Sequence, residues 1–310
     1  MPLKLGPGLS SLAETRMNRR HALATIGKTG LAILAGCSHR AGSRGNTAGW
    51  YALLSDPHIA ADPCASLRGE VMSDNLRAVV ADILAADDPP RGVLVDGDLA
   101  FHHGDSGDYA TFLRCAEPLL RHDLPVHVTL GNHDHRENLR KALADRFHEA
   151  NFVADKVVGS VAGSGVRFVL LDSQNGVNVT AGLLGEAQLT WLARDLDAHP
   201  IEPAVILVHH NINSHSESAL RDTEALLEVL RPRRQAKAVV FGHTHVWNVR
   251  KIEDIHMINL PAIGYRFLPK QPLGWVVFRP RKDGAELELR CVGGDRKRDQ
   301  KRVDLKWRAA

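Results

Sequence analysis

The chain has 310 residues, 44% of them hydrophobic, with a formal net charge of +3. That is enough apolar material for one sizeable core or two small ones. The small positive excess gives no ground for a nucleic-acid partner, and no linker to a second large domain is visible after residue 50.

The N-terminus reads as an address rather than as structure. Arg19-Arg20 precede a stretch from Ala22 to Ala35, whose 14 residues are too short to span a bilayer but suit the core of a signal peptide. It runs into Leu34-Ala35-Gly36-Cys37, which resembles the lipobox of bacterial lipoproteins. Residues 1–37 are therefore predicted as a leader, with the true start at Met17 and Cys37 as the lipidated residue. Residues 38–49 form a polar tether. The expectation is an exported bacterial protein, periplasmic or anchored to a membrane through Cys37. Arg19-Arg20 resemble a weak twin-arginine signal, weakened by His21 directly after them.

From residue 50 onward apolar runs alternate with helical patterns. Runs at Trp50 to Leu54, Gly92 to Val95, Pro125 to Leu130, Ala204 to Val208 and Lys237 to Phe241 have the look of strands buried on both faces. Helical spacing appears over Ser73 to Ala86, Tyr109 to Leu120, Glu137 to Phe147 and Glu186 to Leu196. Further strands are expected at Arg167 to Leu171, Val246 to Lys251, Ile255 to Asn259, Trp275 to Phe278 and Glu286 to Arg290. This order predicts a mixed α/β (α+β) fold, a four-layer αββα sandwich of two packed mixed sheets flanked by helices. The catalytic domain would span residues 50–292, and the Arg/Lys-rich residues 293–310 would be a basic, solvated tail.

Each of the five buried runs ends in a polar cluster: Asp56-Pro-His58, Gly97-Asp98, Gly131-Asn132-His133-Asp134, His209-His210 and Gly242-His243-Thr244-His245. Ligands gather outside the carboxyl ends of strands in such sheets, so the clusters point to one site. Their carboxylates, imidazoles and amide suit Fe, Mn or Zn. Asp98 has two oxygens and would bridge a pair of cations about 3.5–4 Å apart. Asp56 and His58 are two apart, as are His243 and His245; on an extended segment each pair would share a face and grip one ion.

The ordered set D-x-H, GD, GNHD, HH and GHTH, from Asp56 to His245, resembles the calcineurin-like metallophosphoesterase superfamily. The segment Gly131 to Arg140, with Leu171-Asp172-Ser173 and Gly185-Glu186 further on, looks like the class III cyclic nucleotide phosphodiesterase and glycerophosphodiesterase group. The resemblance implies that Asp56, His58 and His245 hold a first metal and Asn132, His209 and His243 a second, with Asp98 between them. His133 would be the proton donor and Asp134 would orient it. His210 would stand just behind the ligands or touch substrate, and His102 and His103 would line the cleft. Tyr265 and Arg266 are further candidates to meet substrate. The chain departs from the group at Asn211-Ile212, where two prolines are usual, and at His135, where an acidic residue is usual.

The implied activity is metal-dependent hydrolysis of a small phosphodiester or phosphomonoester, using hydroxide held by two divalent or mixed-valence metal ions. Two other classes remain open: an exported nuclease with the same metal centre, and a metal-binding interaction module with little catalysis. Cys64, Cys115 and Cys291 are odd in number and lack CxxC spacing, so they read as packing residues.

Overall fold

The computed structural model describes residues 49–143, 151–213 and 216–309. The leader, Cys37 and the tether up to residue 48 lie outside the described residues, as does His215.

In chain order the elements are β1 (Tyr51–Ser55), β2 (Ser66–Leu67), β3 (Glu70–Val71), α1 (Met72–Leu84), β4 (Gly92–Asp96), α2 (Ser106–Arg121), β5 (Val126–Thr129) and α3 (Arg136–Ala142). There follow β6 (Asn151–Val153), β7 (Lys156–Ala162), β8 (Arg167–Leu171), α4 (Glu186–Ala198), β9 (Ala204–Val208), α5 (Thr223–Leu230) and β10 (Ala236–Phe241). The chain closes with β11 (Asn248–Ile252), β12 (Ile255–Asn259), β13 (Pro272–Arg281), β14 (Gly284–Gly294), a 3-10 turn at Arg296–Arg298 and β15 (Arg302–Lys306).

Two mixed sheets result, in the orders β15-β14-β13-β1-β4-β5 and β11-β12-β10-β9-β8-β7-β6. β1, β4 and β5 run parallel, as do β8, β9, β10 and β12. The two-residue period of a strand sends alternate side chains to opposite faces. Leu53, Leu94, Val276 and Phe278 meet Phe168, Val205, Leu207 and Val240 between the sheets. Ala52, Leu54, Val93 and Val95 turn outward to pack under α1 and α2. Val169, Leu171, Ile206, Val208 and Val239 pack under α4 and α5 on the other side. The expected αββα sandwich is therefore the observed one. Cys115 and Cys291 are buried in different parts of this core, and both are free thiols, as is the exposed Cys64. Among the described residues no helix is long and apolar enough to cross a membrane.

The predicted tail is a correction. Val303, Leu305 and Trp307 alternate with polar residues, and β15 pairs antiparallel with β14, burying Leu305 and Trp307 in the inter-sheet core. Its basic residues find partners on the way: Arg302 meets Glu288 at 3.0 Å and Arg296 meets Asp299 at 2.8 Å. A run of charges at a chain end can be an edge strand when every second residue is apolar and the neighbouring strand supplies carboxylates. The folded domain thus continues to 309 rather than stopping at 292. The helix expected over Glu137 to Phe147 is observed at Arg136–Ala142; residues 144–147 lie outside the described residues.

Candidate metal centre

Five parallel strands, β1, β4 and β5 of one sheet and β9 and β10 of the other, deliver the five polar clusters to one ridge. Asp56, His58 and His245 each offer a donor atom within 4.8 Å of the others, and so do Asp98, His209 and His243. Asp98 Oδ2 lies 3.7 Å from His58 Nε2 and 3.2 Å from His209 Nε2, so one carboxylate faces both groups. Asp56 Oδ1 is 3.3 Å from His245 Nε2.

The reason the pairs converge differs from the extended geometry expected of D-x-H and H-T-H. Asp56, His58, Asp98, His243 and His245 all have positive φ, between 48° and 67°. Left-handed backbone costs an L-residue about 1–2 kcal/mol, though Asp, Asn and His tolerate it better than most. The chain turns sharply as it leaves β1, β4 and β10. Such strain persists where surrounding structure over-determines it, as at binding sites. Close packing leaves no slack: a Cβ on Gly131 would fall on the Asp98 carboxylate, and one on Gly242 would fall on Ser55 Oγ and Asp56 Oδ2.

The donor chemistry fits divalent cations. His209 Nδ1 donates to the Asp96 carbonyl at 2.8 Å and His245 Nδ1 to the Tyr265 carbonyl at 2.6 Å, which turns each Nε2 toward the carboxylates. This is the outer-shell device that orients metal-bound histidines. His58 Nε2 and His245 Nε2 point at each other 3.1 Å apart. Asn132 Oδ1 is buried with no hydrogen-bond partner. An unpaired buried acceptor is costly, and a cation bound beside it would remove the cost.

The electrostatics agree. Burial opposes charge on Asp56 and Asp98, yet His245 and His209 beside Asp56, and His209 and His58 beside Asp98, hold both carboxyls below their usual range. Burial pushes His58 down to about 3 and His243 down to about 4, leaving neutral rings with free lone pairs. Burial also works against a charge on His209, but the adjacent Asp98 and Asp56 outweigh it and raise the ring well above its ordinary range. Two buried carboxylates held below their usual range in one pocket call for a positive partner.

His133 is half-buried at the rim, its backbone N–H donating to Asp98 Oδ1 at 2.9 Å. Its Nδ1 meets the His102 carbonyl at 3.1 Å, so Nε2 is the nitrogen left for the cleft. Asp134 does not orient that ring. Its carboxylate accepts from the backbone N–H of Gly131, Leu99 and Ala100 at 2.9, 3.2 and 3.1 Å and from the Tyr109 hydroxyl at 3.2 Å. It ties the Asp98 loop to the Asn132 loop, and burial with the nearby Asp98 charge pushes it up to about 6.

His210 is also displaced from a substrate role. It is fully buried, with Nδ1 at 2.7 Å from Ser173 Oγ and its ring packed beside His209 and His243. His102 and His103 are exposed, and the His102 ring lies 5.6 Å from that of His133. Tyr265 is buried with its ring 4.7 Å from His58 and 4.8 Å from His245, so it backs the ligands. Arg266 points instead toward Glu70, 3.8 Å away.

Several bracing groups carry no motif. Ser55 Oγ donates to Asp56 Oδ2 at 2.5 Å, and Asn178 N–H donates to the Asn132 carbonyl at 2.6 Å. The Gln174 amide donates to the Gly131 carbonyl at 2.9 Å. The one legible signal was position, since Ser55 and Asp96 are the last residues of β1 and β4.

Comparison with known proteins follows the same residues. The family model for calcineurin-like phosphoesterases matches residues 50–247. The chain is 27% identical over 246 residues to the 3′,5′-cyclic adenosine monophosphate phosphodiesterase CpdA of Haemophilus influenzae, covering 75% of this chain and 85% of that protein. It is 29% identical over 223 residues to CpdA of Pseudomonas aeruginosa, covering 70% and 76%. A dimetal phosphatase from Danio rerio superposes with a TM-score of 0.67 at 16% identity, over 84% of this chain and all of that one. The last likeness is one of fold.

Proposed function

Because this chain belongs to the calcineurin-like phosphoesterase family, we propose that it hydrolyses a small phosphodiester at a dinuclear metal centre, with His133 as the proton donor. The family membership makes it a metal-dependent phosphoesterase; the diester preference and the residue roles are our reading. The observation that carries it is the convergence of Asp56, His58, Asp98, His209, His243 and His245, with the orphaned Asn132 Oδ1, on one buried ridge.

Asp56, His58 and His245 would hold one cation, Asn132, His209 and His243 the other, with Asp98 between them. Bound there, two divalent cations neutralise phosphoryl oxygens and bring the pKa of a water into the neutral range. The chain's own part is orientation and proton movement. The bond to the His102 carbonyl keeps a proton on His133 Nδ1, so a second proton at Nε2 is the one available to a departing oxygen. The backbone bond from His133 to Asp98 ties that residue's main chain to the carboxylate between the two donor groups.

The diester preference draws on the relatives, which are named as cyclic AMP phosphodiesterases. With Mn supplied, bis(p-nitrophenyl) phosphate and a cyclic nucleotide are expected to turn over faster than p-nitrophenyl phosphate, and single-stranded DNA is expected to survive. Loss of the DNA first would favour a nuclease. A metal-loaded protein idle on all four would contradict the reading.

Export and a lipid anchor at Cys37 belong to the same reading, supported by the order of Arg19-Arg20, the Ala22 to Ala35 stretch and the small residues before Cys37. Cys37→Ala protein is expected to leave the membrane fraction; continued partitioning with membranes would remove the anchor.

A further inference from the structure

The rim of the metal centre holds a cation that the proposed chemistry does not use. β2 and β3 make a hairpin with Arg68-Gly69 at its tip, both residues having positive φ, 54° and 83°. That is the backbone sign pattern of a two-residue type I′ turn, which projects its tip away from the sheet. The Arg68 guanidinium carbon lies over Phe267, 5.0 Å from the ring centroid. Phe267 in turn stacks on His245, with centroids 4.3 Å apart and planes 25° from parallel.

His245, Phe267 and Arg68 therefore form a line of contacts that begins at a candidate ligand and ends at an exposed positive charge. Neighbouring guanidinium groups are already engaged: Arg136 with Asp172 at 2.6 Å and Arg266 facing Glu70 at 3.8 Å. Among the described residues the Arg68 side chain has no carboxylate partner and no hydrogen bond; it lies over Phe267 and its charge is felt at Tyr265. A cation held over a ring face is positioned while its N–H donors stay unspent.

The same rim is apolar where it is not charged. Val177 and Val179, 36% and 39% exposed, flank Asn178, whose N–H bonds to Asn132; Phe267 and Leu268, 46% and 53% exposed, follow Tyr265 at the other donor group. Exposed apolar residues are ordinary singly; here one pair adjoins the residue bonded to Asn132 and the other follows Tyr265.

We propose that Arg68 is a specificity-determining residue that receives a second anionic group of the substrate, carried about a sugar's length from the scissile phosphate. The inference rests on the phosphoesterase reading and deepens it. The second charge matters because a guanidinium binds phosphate or carboxylate with paired N–H donors. Contacts of 5.0 and 4.3 Å place the Phe267 ring between Arg68 and His245, so a group that meets the guanidinium lies outside the donor set and not among the metal ligands.

The test uses a matched pair, thymidine 5′-(p-nitrophenyl phosphate) and the same ester bearing a 3′-phosphate, with products separated by chromatography. The metal-loaded wild type is expected to show a KM lower by roughly 10-fold for the doubly charged ester, the size of one good charge-assisted contact. Arg68→Ala should erase that preference through KM while leaving kcat and the singly charged ester within about twofold, and Arg68→Lys should restore part of it. Equal losses on both esters, or none on either, would overturn the assignment.

Calorimetric titration with thymidine 3′,5′-bisphosphate against the 5′-monophosphate reads the same contact without turnover. A wild type that hydrolyses neither ester yet binds the bisphosphate more tightly through Arg68 would overturn the hydrolase and keep the subsite. Equal affinity for the two nucleotides in the wild type would overturn the subsite.

Discussion

Asp98→Ala is expected to lose bound metal and at least about 10³-fold in phosphodiester turnover, because several kcal/mol of transition-state stabilisation would go with the cations. The position explains the size. Asp98 Oδ2 faces His58 at 3.7 Å and His209 at 3.2 Å, and Oδ1 accepts the His133 N–H at 2.9 Å. One carboxylate therefore joins both donor groups and the backbone of His133, the proposed proton donor. Alanine also has to adopt the left-handed backbone at this residue, φ 49°, so Asp98→Asn is the cleaner partner. Asparagine tolerates that backbone and still offers an oxygen to His133, and its loss of function would be a loss of charge. Metal at 100 times its Kd should raise wild-type stability by about 2.7 kcal/mol, with little rise in either variant. A variant that keeps both metal content and turnover would refute the bridging role.

His133→Ala is expected to lower kcat by about 10²–10⁴-fold, the usual contribution of a positioned general acid, with metal content unchanged. The drop should be larger for an alkoxide leaving group than for p-nitrophenolate, which departs without needing a proton. This pattern separates two roles that the geometry allows. His133 has a donor atom within 4.8 Å of those of His58 and Asp98, so it sits close enough to be a ligand itself. Loss of a metal ion with the imidazole, or an equal loss for both leaving groups, would make it a ligand and not the acid.

The strand-end clusters were the most legible part of the molecule, because each candidate ligand follows a largely apolar run within a few residues and that pairing has few other meanings. The layer order was legible for the same reason, through the Val, Leu and Ile content of β1, β4, β9 and β10. What could not be read was how the chain turns at those ends. The positive φ at Asp56, His58, Asp98, His243 and His245 depends on packing around them and leaves no trace in residue spacing.

Backbone partners were equally silent. The carbonyls of Asp96 and Tyr265 that aim His209 and His245 belong to groups every residue carries. Asp134 was misread because its neighbour in sequence is His133, whereas its partners in space come from the loops after β4 and β5 and from α2. α5 was missed although Thr223, Leu226, Leu227 and Leu230 recur at helical spacing, its eight residues being few, and β7, with a largely half-exposed pattern, carries too little periodicity to be found. β15 was hidden by its charges, although the alternation of Val303, Leu305 and Trp307 marked it.

The account depends on two cations at the ridge between the sheets. Crystals of protein grown with ample Fe, Mn and Zn, measured on either side of each metal's absorption edge, test it most directly. Two anomalous peaks are expected, one among Asp56, His58 and His245 and one among Asn132, His209 and His243, with Asp98 between them. A ridge without anomalous density in metal-replete crystals that still cleave phosphodiesters would contradict it.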